Sequence, residues 1–157
     1  MENQENLLVR KDYLETLMRF KDKQLIKVVT GIRRCGKSTL FDLFINHLES
    51  NGVSKKNIIK INFESPDYFE LQDWLSVYKY IKEKLSSDSM NYIFLDEIQN
   101  VPDFQKAVDG LFIMKNCDIY ITGSNAYLLS GELATLLSGR YVEIKMQPLS
   151  FKEYLSA

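Results

Sequence analysis

Two rhythms of apolar and polar positions alternate along this chain. In "RKDYLETLMRF" (10–20), Tyr13, Leu14, Leu17 and Met18 recur at helical spacing, with Asp12 and Glu15 as a capping pair at the start. "QLIKVVT" (24–30) is short and rich in β-branched residues, which predicts a strand. "KSTLFDLFINHLES" sets Leu40, Phe41, Phe44 and Leu48 on one side of a helix, and "NG" at 51–52 stops it. A second strand, "NIIKINF" (57–63), precedes a helix over "ELQDWLSVYKYIKEKL" that runs through Leu71, Trp74, Leu75, Tyr78, Ile81 and Leu85. "NYIFLDE" (91–97) is a third strand. Pro102 suits the first turn of the helix that carries Phe104, Val108, Leu111 and Phe112. "CDIYITGS" (117–124) is a fourth strand, shorter helical pieces fill 125–137, and "RYVEIKM" (140–146) is a fifth strand. Short strands alternating with helices predict an α/β fold, a parallel sheet covered on both faces. "PLSFKEYLSA" then opens a helix, with Ser150 and Glu153 spaced as a capping box, and the sequence stops within about two turns. The expectation is a single core domain over 1–157 that forms the first part of a longer protein.

Length and composition narrow the class. A chain of 157 residues, 45% hydrophobic and 26% charged, can bury one substantial core and is not disordered. A net charge of −1 leaves no footprint for nucleic acid across the whole chain, although the first forty residues hold nine Lys/Arg against five Asp/Glu. No apolar run approaches the roughly 18 residues of a membrane span, and "MENQENLLVR" lacks the pattern of a secretory signal. These features predict a cytoplasmic protein without a membrane partner. Cys35 and Cys117 then read as free thiols, and His47, the single histidine, as a packed or solvated side chain rather than a metal ligand.

The chemistry concentrates in "VVTGIRRCGKSTLFDLF" (28–44). Residues 31–38, "GIRRCGKS", fit G-x-x-x-x-G-K-[ST] without a mismatch, between a strand and an amphipathic helix. In such a loop the backbone N–H groups of Gly31, Ile32, Arg33, Arg34, Cys35, Gly36, Lys37, Ser38 and Thr39 converge on a phosphate chain, and the helix N-terminus adds positive charge. Lys37 would reach the β- and γ-phosphates, Ser38 would offer its hydroxyl to Mg²⁺, and Thr39 would bond the α-phosphate. Arg33 and Arg34 add positive field at the rim. Cys35, facing a helix N-terminus beside Arg34 and near Lys37, is set up for a lowered thiol pKa.

A second cluster follows "YIFL" (92–95): Asp96 and Glu97. An acid at the carboxyl end of a strand beside the first can hold the magnesium's water shell, and Glu97, one residue on, can polarise an attacking water. The chain contains no Asn-Lys-x-Asp string for guanine recognition. An acid directly after the magnesium aspartate favours attack by water over transfer to an acceptor. ATP hydrolysis therefore ranks above GTP switching and small-molecule phosphorylation.

"TGIRRCGKSTL", "YIFLDEIQN", "IYITGSNAYLL" and "SGRYVEIKMQPLSFKEYL" together resemble the AAA+-like P-loop ATPases, and within them prokaryotic AAA-type ATPases of unassigned function. The resemblance covers residues from about 8 onward. It implies a three-layer P-loop NTPase fold with a five-stranded parallel sheet of order 5-1-4-3-2, ATP and Mg²⁺ as ligands, and a strand added between the two nucleotide motifs. It implies that Ser124 or Asn125 senses the γ-phosphate. Arg140 matches an arginine finger acting across a subunit boundary, hence in a homo-oligomer, and Asn62 sits where relatives keep a polar partner for the catalytic glutamate. The catalytic set is then Glu97, Lys37, Asn125 and Arg140, with Ser38 and Asp96 on the metal. A strand-end Asn such as Asn62 is also ordinary turn chemistry. The helical lid that follows the sheet in relatives falls beyond 157, which leaves Val9, Arg10 and Tyr13 to face the adenine. Two readings stay open: an ATPase that works on a protein or nucleic-acid partner this chain does not specify, and an ATP-gated adaptor with little or no turnover.

Overall fold

The computed structural model describes residues 11–31, 36–123 and 139–146. Helix α1 (Lys11–Phe20) leads into strand β1 (Ile26–Thr30), and α2 (Lys37–Ser50) follows. Then come β2 (Ile58–Asn62), α3 (Trp74–Lys84), β3 (Asn91–Asp96), α4 (Phe104–Phe112), β4 (Cys117–Gly123) and β5 (Tyr141–Lys145). The five strands form one parallel sheet in the order β2-β3-β4-β1-β5, the order implied by the resemblance read from its other edge. β4 therefore lies between β1 and β3. The strand ending in Asp96 is not beside the first strand, as its motif alone suggested, but one strand removed.

Period-two alternation divides the core into two layers. Ile93 and Leu95 of β3, with Ile119 and Ile121 of β4, face Val77 and Ile81 of α3 and Val108 and Leu111 of α4. Tyr92, Phe94 and Tyr120 point the other way, onto Leu17 of α1 and Leu40, Phe41, Phe44 and Leu48 of α2. Phe94 stacks on Tyr120 at 4.8 Å between centroids and meets Phe41 edge-on at 5.1 Å. Trp74 and Tyr78 pack on the first layer, the core role their helical spacing predicts, whereas Leu75 is exposed. Tyr13 packs on the second.

Three boundaries shift for local reasons. α3 begins at Trp74 rather than near residue 70, because the Asp73 carboxylate accepts the Ser76 N–H at 2.8 Å and the Ser76 hydroxyl at 2.9 Å. Pro102 lies ahead of α4, whose first residue is Phe104. Asp12 sits inside α1, its carbonyl accepting the Thr16 hydroxyl at 2.9 Å, so it is not the cap.

The amino end of the sheet holds a buried charge network with no counterpart in the motif reading. Lys27, the second residue of β1, is fully buried. Its ammonium pairs with Asp118 Oδ1 and donates to the Lys23 carbonyl at 2.7 Å. Asp118 Oδ2 accepts the Asp22 N–H at 3.0 Å and the Tyr120 hydroxyl at 2.7 Å. The Tyr92 hydroxyl donates to Asp22 Oδ1 at 2.7 Å. Burial pushes the Lys27 pKa down and the Asp118 pKa up, partly offset by their attraction. The network ties the α1–β1 turn to the sheet and leaves the carboxyl end free to build a site.

Candidate functional site

In parallel α/β sheets, ligands gather at the carboxyl ends of the strands. Here that end lines up Asn62 opposite Asp96 on β2 and β3, and Thr30 opposite Gly123 on β1 and β4. Gly36 caps α2 in the left-handed region (φ 94°), a conformation that a Cβ would strain. The first turn of α2 carries no acid, so no residue of the helix itself opposes an anion at its N-terminus.

Lys37, the first residue of α2, is buried, with 5% exposure. Its ammonium donates to the Gly31 carbonyl at 2.9 Å and lies 3.9 Å from Glu97 Oε1. The Ser38 hydroxyl donates to Asp96 Oδ2, so the two motifs meet in space although they stand 58 residues apart. Asp96 is fully buried, and its other oxygen accepts the Thr122 hydroxyl. The same Thr122 oxygen accepts the Glu97 N–H at 2.9 Å. Glu97 itself adopts φ 58° and ψ 46°, left-handed for a non-glycine residue. That turn sends its carboxylate away from Asp96, toward Lys37 and Gln99.

The predicted residues thus divide. Gly31, Gly36, Lys37, Ser38, Thr39, Asp96 and Glu97 come together at one end of the sheet. Ile32, Arg33, Arg34 and Cys35, together with Ser124, Asn125, Val9 and Arg10, lie outside the described residues, as do the helical pieces over 125–137 and the capping box at Ser150 and Glu153. Arg140 sits at the other end: its carbonyl accepts the Ile26 N–H at 2.8 Å, at the start of β1. Five residues of strand, roughly 15 Å, separate it from the loop that leaves β1. Its guanidinium lies 4.0 Å from Asp109 and 5.8 Å from the Phe112 ring, half exposed. Asn62 accepts the Glu64 N–H at 3.0 Å in its own turn, and among the described residues no hydrogen bond joins it to Glu97. That contact comes from Gln99, whose Nε2 lies 2.5 Å from Glu97 Oε2.

Sequence reasoning missed both Thr122 and Gln99. A hydroxyl one residue before the end of β4, and an amide two residues after a site acid, were the available signals. His47 stacks on Phe44 at 6.3 Å, as a packed side chain.

Magnesium suits the oxygens present. Ser38 Oγ and Asp96 Oδ2 are adjacent hard donors, and Mg²⁺ is commonly held by one or two protein oxygens plus substrate phosphates. Among the described residues no group of three or more His, Cys, Asp or Glu forms an all-protein cage.

The profile of one family of AAA domains, AAA_14, matches residues 23–155. The chain belongs to this family. It is an AAA+-like P-loop ATPase domain by sequence family and by fold. An uncharacterized protein of Haemophilus influenzae is 51% identical over 152 residues, 96% of this chain and 38% of that protein. The uncharacterized protein MJ1544 of Methanocaldococcus jannaschii is 39% identical over 132 residues, 83% of this chain and 28% of that protein. The chain therefore spans well under half the length of these relatives. A DNA polymerase III gamma subunit-related protein of Thermotoga maritima shares the fold with a TM-score of 0.61 at 14% identity, over 84% of this chain and 45% of that one. Among the described residues no helix is long and apolar enough to cross a membrane.

Proposed function

We propose that this AAA+-like domain binds ATP in the loop at 31–39 and hydrolyses it with magnesium, as the cytoplasmic motor or switch of a larger protein. The observation that carries the reading is the meeting of two motifs. Ser38 touches Asp96, and Lys37 lies 3.9 Å from Glu97, at the N-terminus of a helix without acids in its first turn.

The backbone of Gly31, Ile32, Arg33, Arg34, Cys35, Gly36, Lys37, Ser38 and Thr39 cradles the phosphates, and Lys37 neutralises the β- and γ-phosphates. Ser38 and Asp96 hold the metal's coordination sphere. A magnesium ion held by these two residues would supply charge withdrawal from the transferred phosphoryl group. Glu97 orients and polarises the attacking water, and Asn125 senses the γ-phosphate. Arg140 is too far along the sheet to serve its own loop, so as an arginine finger it acts on a neighbouring subunit of a homo-oligomer.

The test is phosphate release from ATP by the full-length gene product, with magnesium and with EDTA. Turnover that requires the metal and is abolished by Lys37→Ala supports the reading. Tight ATP binding with no release would instead make the protein an ATP-gated adaptor.

A further inference from the structure

Glu97 is held at three points, and only one of them, Lys37, belongs to the motifs. Its N–H is bound by Thr122 and its Oε1 faces Lys37, while its Oε2 receives the Gln99 amide at 2.5 Å. Gln99 can do this because its own backbone is fixed. It sits in a single tight turn, Ile98–Asn100, anchored by the fully buried Ile98 and the nearly buried Val101. The Asn100 N–H closes that turn onto the Glu97 carbonyl at 3.2 Å, which folds the Gln99 side chain back over the residue two positions before it.

We propose that Gln99 is a positioning residue of the hydrolytic site, an inference that rests on the hydrolysis reading above. Its amide takes one carboxylate oxygen of Glu97 and so turns the other toward Lys37 and the phosphate loop, where an attacking water would stand. In this protein Gln99 does the work that the resemblance assigned to Asn62, whose side-chain oxygen serves its own turn. The amide's net contribution to stability is small, because the cost of its oxygen offsets the bond its nitrogen makes to the carboxylate. Among the described residues Gln99 Oε1 is buried without a hydrogen-bond partner, a cost that an apolar side chain of the same length would not incur. The amide thus stands where one of its polar atoms costs stability, and the group the other contacts is the reading's general base.

Gln99→Met in the full-length gene product separates the two roles, because Met matches Gln in length and lacks the donor. The melting temperature should be unchanged or higher, and binding of a fluorescent ATP analogue should be unchanged. The kcat should fall about 10-fold to 100-fold with KM little altered, the range typical of residues that orient a site group from behind. On a Glu97→Gln background the same change should add nothing, since the effect passes through Glu97. Native turnover in Gln99→Met, an equal loss on the Glu97→Gln background, or a fall of several degrees in melting temperature would each overturn the proposal. If the native protein itself releases no phosphate, the hydrolysis reading falls and takes this one with it. If the native protein turns over and Gln99→Met matches it, only the role of Gln99 is lost.

Discussion

Thr122→Val removes one hydroxyl from a fully buried side chain and changes its shape very little. Two hydrogen bonds go with it: the one donated to Asp96 Oδ1 and the one accepted from the Glu97 N–H. A bond to a charged carboxylate contributes about 1.5–3 kcal/mol and a neutral one about 0.5–1.5 kcal/mol, and both partners here are left with unmet needs. The expected loss is about 2–4 kcal/mol. For a domain of this size that corresponds to a melting temperature lower by about 5–15 °C. Function should fall further than stability, because the same hydroxyl keeps Asp96 beside Ser38 and holds Glu97 in its left-handed turn. Phosphate release below the melting temperature should drop about 10-fold to 100-fold. Thr122→Ser, which keeps the hydroxyl, should recover most of both losses. Differential scanning calorimetry and a coupled phosphate assay on the three proteins decide the matter. A Val variant that is as stable and as active as the native chain would show that the hydroxyl joins neither group.

Other consequences concern the rest of the fold. Lys27→Met leaves the Asp118 carboxylate buried without its cation and should cost about 3–5 kcal/mol in urea denaturation, with much of that recovered in the Lys27→Met/Asp118→Asn double variant. Burial pushes the Cys117 thiol up to about 11 from 9.0, aided by the charge of Asp118. At pH 8 iodoacetamide should therefore label it about 100-fold more slowly than an unperturbed thiol, and peptide mapping should find Cys35 labelled first and protected by ATP. Equal labelling of Cys35 with and without ATP would remove it from the nucleotide loop. Asp109 has its pKa raised from 3.8 by burial, partly offset by Arg140. The folded state thus holds its proton more tightly than the unfolded state, and this group's contribution to stability falls as pH rises through the folded pKa. Asp109→Asn should lack that fall, so its urea midpoint should gain on the native one between pH 4 and pH 7.

What the sequence made legible was local. The phosphate loop is contiguous, its strand and helix announce themselves by period, and Asp96-Glu97 ends a run of four apolar residues. Short strands alternating with helices also predict a sheet covered on both faces. Cross-strand facts were not legible, because period says nothing about which strand is whose neighbour. Thr122 matters only because β4 is inserted beside β3, which puts its hydroxyl against Asp96. Lys27 resembles a surface lysine in a short strand until its partner 91 residues away lies next to it. Gln99 depends on a left-handed turn at Glu97 that no residue type there advertises. The shifted start of α3 is a milder case, in which the capping strength of Asp73 outweighed the apolar spacing around Leu71.

In the proposed reaction Glu97 activates water on a nucleotide held by Lys37 and Ser38. The most direct measurement compares the full-length native protein with Glu97→Gln for both ATP binding and phosphate release. Magnesium-ATP should bind both proteins equally while release falls at least 100-fold in the variant, the usual scale of losing a general base. Equal rates of release from the two proteins would contradict that role of Glu97.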